Sequence, residues 1–287
     1  MIHHPSAVNP SPIIRLLAID LDGTLLDSRG ELPEANRAAI AAAVEAGVQV
    51  TLVTGRSYPF ARPVAERLPD AVTLIVSNGA VERDRQGAVI DRRLLPRQVA
   101  LEVLTITPEF RHAAALIFDR LGERQMLYET MDWADPNRKG YWDRNRLHIE
   151  QCVPLEAGLD EDPIQVMFNG PVLQMRRLAD LMGARDGGYA LSLTEYEDRD
   201  FSLLDVNGQG ATKAGALAAA AARLGVSREQ VMAIGDNFND EGMLAFAGCP
   251  VLMGNAVEPL KAHGWPITGG HDEAGVAQAI QRYILGG

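Results

Sequence analysis

Apolar runs alternate with polar, glycine-bearing turns along this chain, and the alternation is regular enough to predict an architecture. Residues 16–19 are an unbroken apolar run that stops at Asp20-Leu21-Asp22-Gly23-Thr24. That is the composition of a buried strand delivering carboxylates to the place where it ends. Residues 34–46 are rich in alanine, with Ile40 and Val44 four apart, and Gly47 follows them; the spacing and the stop predict a helix. A second strand over 48–53 ends in Thr54-Gly55-Arg56-Ser57, a helical stretch runs on to 68, and a third strand over 72–76 ends in Ser77-Asn78-Gly79-Ala80. Strands that alternate with helices and finish in small polar loops predict a parallel sheet with a site along its carboxyl edge.

The rhythm then changes. Residues 81–83 and 88–94 flank Asp84-Arg85-Gln86-Gly87, a hairpin signal foreign to a doubly wound sheet. Strand-like runs follow at 114–118, 125–129, 164–168, 189–194 and 201–206, with helical patterns over 97–104 and 172–182. We read 84–203 as an inserted α+β domain, whose polar and aromatic middle, 132–154, shows no readable element. Alternation resumes at Thr212: an alanine-rich helix over 213–224, a short strand over 231–234 closed by Gly235-Asp236-Asn237-Phe238-Asn239-Asp240, a helix over 239–246, a strand over 250–253, and helices over 257–263 and 273–285. The expectation is an α/β protein: a doubly wound parallel-sheet core formed by 1–83 and 204–287, interrupted by the insertion. The alanine tract 216–222 suits close helix packing.

Composition narrows the partners. Of 287 residues 47% are hydrophobic, enough for a sizeable core, while 27 Lys+Arg against 38 Asp+Glu leave a net charge of −11. Such a balance argues against a nucleic-acid or anionic-membrane surface. Cys152 and Cys249 fit neither a disulfide framework nor a zinc cluster and read as free thiols in a reducing compartment. No run is long enough for a membrane span, and residues 1–12 lack the pattern of a secretory signal, so a cytoplasmic location is expected. His3 and His4 fall in that proline-bearing leader and are assigned no role.

The candidate chemistry sits in the turns. In extended backbone Asp20 and Asp22 would point to one side. Their repulsion is relieved by a cation, a shared proton or water, and a divalent metal is the usual partner where phosphate is the substrate. A plain Asp-Gly turn is the alternative for that stretch alone. Thr54, Lys213, and Asp236 with Asp240 supply, in three further places, what phosphoryl transfer needs.

In order and spacing these residues resemble the four motifs of the haloacid dehalogenase superfamily of phosphohydrolases: Asp20-Leu21-Asp22-Gly23-Thr24, Thr54-Gly55-Arg56, Lys213-Ala214-Gly215-Ala216-Leu217 and Gly235-Asp236-Asn237-Phe238-Asn239-Asp240. Ser77-Asn78-Gly79-Ala80 and Met253-Gly254-Asn255-Ala256 extend the similarity to its Cof-type subgroup. Ala214 stands where many relatives carry glycine. The resemblance implies a Rossmann-like core with a large α/β cap that moves as a body and shuts over the site. It also implies Mg²⁺, bound by the Asp20 carboxylate, the Asp22 backbone carbonyl and Asp236, with Asp240 close by. Asp20 is then the nucleophile, Asp22 the general acid and base, and Lys213 a fixed positive charge. Thr54, the Gly55 backbone and Asn239 are the expected phosphate contacts. Arg56, Asn78 and Asn255 stand open between substrate contact and structural roles. Residues 137–146 stand open between a flexible loop and a reader of a second anionic or sugar group. The implied activity is a Mg²⁺-dependent phosphatase for a small phosphomonoester, such as a sugar phosphate. A phosphosugar mutase and a phosphate-responsive binding module are the alternatives.

Overall fold

The computed structural model describes residues 14–286, without the Arg144 side chain; His3 and His4 lie outside the described residues. In chain order the strands are β1 (Leu16–Ile19), β2 (Gln49–Val53), β3 (Thr73–Val76), β4 (Val81–Arg83), β5 (Val89–Arg92), β6 (Ala114–Ile117), β7 (Met126–Tyr128), β8 (Ile149–Gln151), β9 (Gln165–Gly170), β10 (Tyr189–Tyr196), β11 (Phe201–Gly208), β12 (Val231–Gly235) and β13 (Cys249–Leu252). Seven form one sheet in the order β13-β12-β1-β2-β3-β4-β5, and six form another in the order β10-β11-β9-β6-β7-β8.

The centre of the first sheet is parallel, from β13 through β12, β1 and β2 to β3, and helices cover both of its faces. Alternation along β1 makes this visible. Leu17 and Ile19 pack in a cluster with Ile40 and Ala43 of α1 (Glu34–Glu45) and with Val276 and Ile280 of the last helix. Leu16 and Ala18 pack on the other side with Ala216, Leu217 and Ala220. A strand buried on both faces reads as the continuous apolar run seen at 16–19. Pro250 is tolerated because β13 is an edge strand, and Gly47 ends α1 with φ of 85°.

The second sheet is antiparallel except for β7 with β8, and two of its helices pack on one face. Val166 and Phe168 of β9 and Leu204 and Val206 of β11 meet Ala100, Val103, Met175 and Leu178. These come from the helices Arg97–Ile106 and Val172–Gly183. The alternate residues, Gln165, Met167, Leu203 and Asp205, face a cavity that the first sheet closes from below. One face in the core and one face towards a site is the natural use of an antiparallel sheet.

Two expectations need correction. The hairpin signal at 81–94 is real, but β4 pairs antiparallel with β3 and β5 with β4, so the hairpin extends the core sheet. A division at 84 therefore falls in the turn between two strands of the first sheet, and one at 203 falls inside β11, which runs on to Gly208 in the second. The unread stretch 132–154 holds a helix, Pro136–Asn145, and β8. Asp135 Oδ1 caps the helix by accepting from the Asn137 N–H at 2.8 Å, and Pro136 opens it, a standard start. Apart from the adjacent Tyr141 and Trp142 its residues are polar or glycine and proline, which leaves no repeating apolar stripe to betray it. Nearby, Trp133 packs on Tyr128 and Trp142, with ring centroids 5.2 and 4.9 Å away.

Candidate active site

The site forms where parallel strands end. Asp20 follows β1, and its N–H still donates to the Ile234 carbonyl at 3.1 Å, so strand pairing fixes the position of its carboxylate. Lys213 opens the helix Lys213–Leu224, whose start is capped by Thr212 Oγ1 accepting from the Gly215 N–H at 2.9 Å. Its ammonium is buried and bridges two acids, Asp20 Oδ1 and Asp240 Oδ1, both at 2.6 Å. The remaining Asp240 oxygen accepts from the N–H groups of Asp236 (3.0 Å) and Asn237 (3.1 Å). Asp240 therefore spends both oxygens on holding the loop and the lysine. Asp236 Oδ1 accepts from Thr24 Oγ1 at 3.0 Å. A Cβ on Gly23 would lie 2.4 Å from Asp236 Oδ2, so only glycine lets the turn after β1 approach this acid.

Asp20, Asp236 and Asp240 offer oxygens within 4.8 Å of one another, and all three are buried. Burial, then the charges of neighbouring acids, push Asp20 well above the usual carboxylate range and Asp236 up to about 7. The same two acids that flank Lys213 raise its pKa against the opposing effect of burial. Three buried carboxylates face one ammonium, which leaves about two negative charges uncompensated if all ionise. An all-oxygen donor set with that excess fits a hard divalent cation such as Mg²⁺.

Asp22 behaves differently from Asp20. The segment Leu21–Leu25 coils immediately after β1, with Gly23 at φ of 80°, so the two acids do not continue one extended face. Both line the cavity, but the Asp22 carboxylate lies outside the trio, half-exposed, and takes a two-pronged ion pair from Arg56 at 2.8 and 2.5 Å. Arg56, left open between ion pair and substrate contact, is thus the partner of Asp22, and that pairing raises its own pKa.

Thr54 is buried at the end of β2, and its hydroxyl accepts from the Arg56 N–H at 3.1 Å. Gly55 packs against Asn78: a Cβ there would lie 3.1 Å from Asn78 Oδ1. Asn78 is itself in left-handed backbone, φ 53°, directly after Ser77 at 50°. Its Oδ1 accepts from Asn239 Nδ2 at 3.2 Å and its Nδ2 donates to Asp205 at 2.7 Å. Asn255 clamps two loops, donating to the Gly23 carbonyl at 2.8 Å and accepting from the His271 N–H at 2.9 Å.

Sequence reasoning missed Asp205 and Gln165 of the second sheet. Asp205 is buried, accepts from Gln165 Nε2 at 2.7 Å as well as from Asn78, and is pushed up to about 7 by burial. Its signal was present: an acid in the middle of the apolar run 201–206 demands a reason. Of the stretch 137–146, Tyr141 and Asn145 line the cavity. Arg138 is turned to Asn169, and Lys139 pairs with Asp143 at 2.6 Å.

The profile of haloacid dehalogenase-like hydrolases matches residues 17–280. The chain belongs to that family. Among its hydrolase relatives, 5-amino-6-(5-phospho-D-ribitylamino)uracil phosphatase YcsE of Bacillus subtilis is 30% identical over 95% of this chain and 96% of its own. Pyridoxal phosphate phosphatase YbhA of Escherichia coli is 28% identical, covering 94% and 99%. In fold, the haloacid dehalogenase-like chain superposes on the phosphatase BT1666 of Bacteroides thetaiotaomicron with a TM-score of 0.78 at 24% identity, across 97% of this chain and 99% of the other. Among the described residues no helix is long and apolar enough to cross a membrane.

Proposed function

We propose that this haloacid dehalogenase-like hydrolase is a Mg²⁺-dependent phosphatase that cleaves a small phosphomonoester through an aspartyl-phosphate on Asp20. The observation that carries the reading is the buried lysine bridging Asp20 and Asp240 beside Asp236. Asp20 and Asp236, with the Asp22 backbone carbonyl, would hold the ion, and Asp240 would act through Lys213 and the loop it braces. When bound, Mg²⁺ would offset the negative charge of the carboxylates and phosphate.

The chain's own residues divide the work. Lys213 ties down Asp20 Oδ1, leaving Oδ2 for in-line attack on phosphorus; the bond from phosphorus to the ester oxygen breaks, and Asp22 gives that oxygen a proton. Asp22 then takes a proton from water as its oxygen attacks phosphorus, the bond to Asp20 breaks, and inorganic phosphate leaves. Thr54, the Gly55 N–H and Asn239 would receive phosphoryl oxygens. Arg56 holds Asp22 in place until the ester arrives.

The second sheet and its helices, about 95–208, would act as the cap that closes over the ester and excludes water. The free Cys152 and Cys249 support a reducing, cytoplasmic setting. A phosphosugar mutase is the competing use of the same groups. Phosphate release from a panel of phosphorylated metabolites with Mg²⁺ tests the reading: free phosphate is the expected product. Isomerised sugar phosphate without free phosphate, or no reaction even with an activated aryl phosphate, would overturn it.

A further inference from the structure

The cavity between the sheets, about 1170 Å³, is lined differently above and below. Below, the core supplies the acids described above together with Arg29 and Arg56. These two are the lysine or arginine residues among the described lining, and both are already ion-paired, Arg29 with Asp27 and Arg56 with Asp22. Above, the second sheet and its helix supply acceptors. Asp205 and Asp198 are the acids on that side. Asn145 donates its amide to the Tyr141 carbonyl at 2.7 Å and Gln165 donates to Asp205, which leaves Asn145 Oδ1 and Gln165 Oε1 without a hydrogen-bond donor. Both residues are more than nine-tenths buried. His148 Nδ1 lies 2.7 Å from the Gly122 carbonyl and must donate to it.

Buried acceptors without donors are costly, and a ligand that brings donors removes the cost. A second phosphate or a carboxylate would bring more acceptors to a face already holding unpaired ones, with no unpaired arginine or lysine among the described lining to receive its charge. Resting on the phosphatase reading above, we propose that the upper face selects phosphomonoesters whose leaving group is rich in hydrogen-bond donors and carries no second negative charge: amino-sugar and polyhydroxy monophosphates. Asn145 and Gln165 are the specificity-determining residues. Arg138 and Lys139, held by Asn169 and Asp143, do not serve as readers of a second anion.

Four hexose esters that share a C6 phosphate test this: glucosamine 6-phosphate, glucose 6-phosphate, 6-phosphogluconate and glucose 1,6-bisphosphate. Their binding to the Asp20→Asn protein with Mg²⁺ is measured by calorimetry. The first two should bind roughly tenfold or more tighter than the last two. Asn145→Lys, which adds a cation to the upper face, should shrink that ratio to about threefold or less, and Gln165→Met, which removes an acceptor, should shrink it too. Equal or tighter binding of the doubly anionic esters, no binding of any of the four, or a ratio unchanged in both variants would overturn the proposal. Phosphate release from p-nitrophenyl phosphate by the unmodified protein reports separately on the phosphatase reading, so the two can fail independently.

Discussion

The two sheets each bury acid beside the same cavity and treat its charge in opposite ways. At the edge of the parallel sheet Asp20 and Asp240 share Lys213, and Asp236 lies within reach of the same centre. In the antiparallel sheet the Asp205 carboxylate has, among the described residues, only the neutral amides of Asn78 and Gln165 as partners. A charged partner and a close carboxylate cluster make a place for cation and phosphate; amide partners make a place that reads polarity and shape. On the proposed reading, the core carries the chemistry and the second sheet supplies selection. Asn78 joins them, since it touches Asp205 with one end of its amide and Asn239 with the other.

The largest effect that would break this division is at Asp20. Asp20→Asn should lower turnover of every phosphate ester by about 10⁴-fold or more, with no phosphate trapped on the protein in rapid-quench mass spectrometry. Near-normal turnover, with deamidation excluded by intact mass, would remove Asp20 from its role. Stripping divalent cations with chelator should cost at least about 10³-fold, restored by Mg²⁺, and Asp236→Asn should weaken the Mg²⁺ requirement and turnover together. Full hydrolysis by thoroughly stripped protein would sink the metal assignment.

Asp205 sharpens the contrast through pH. Its pKa rises from 3.8 to about 7 on burial, so between those values the folded protein holds a proton that the unfolded chain has released. Stability from this group is present in full below its unfolded pKa and is lost as pH rises through the folded value. Between about pH 5 and pH 8 the unmodified protein should therefore lose roughly 2 kcal/mol relative to Asp205→Asn, read from denaturant midpoints at each pH. Parallel curves for the two proteins would mean that Asp205 stays ionised on folding. The smallest effect is expected at Lys139, paired with Asp143 on the surface: Lys139→Ala should change kcat/KM by less than about twofold on any ester. A large rise in KM would return the basic stretch 137–146 to the site.

The elements that were legible in the sequence owe it to local rules. Residues 16–19 and 231–234 are apolar because both sheet faces are covered, so each announces a buried strand and the turn behind it announces the site. The helix beginning at Lys213 could be read from its alanine content, and the structure adds its Thr212 cap. The helix Pro136–Asn145 could not, because two adjacent aromatics, Tyr141 and Trp142, make no repeating apolar pattern. Nor could the sheet that receives the hairpin β4–β5, because turn chemistry specifies a hairpin but not its neighbour.

The sequence by itself determined the alternation, the turn acids and their order, since these rest on period, capping and residue type within a few positions. Only the tertiary structure decided that Asp22 goes to Arg56, 34 residues away, while Asp20 goes to Lys213, 193 residues away. It also decided that Asp205 comes to lie against Asn78, 127 residues from it. The coil after β1 turns one acid out and leaves the other in. Which charges then meet depends on how β1, β2 and the helix at Lys213 are stacked, a matter of long-range packing that no local pattern carries.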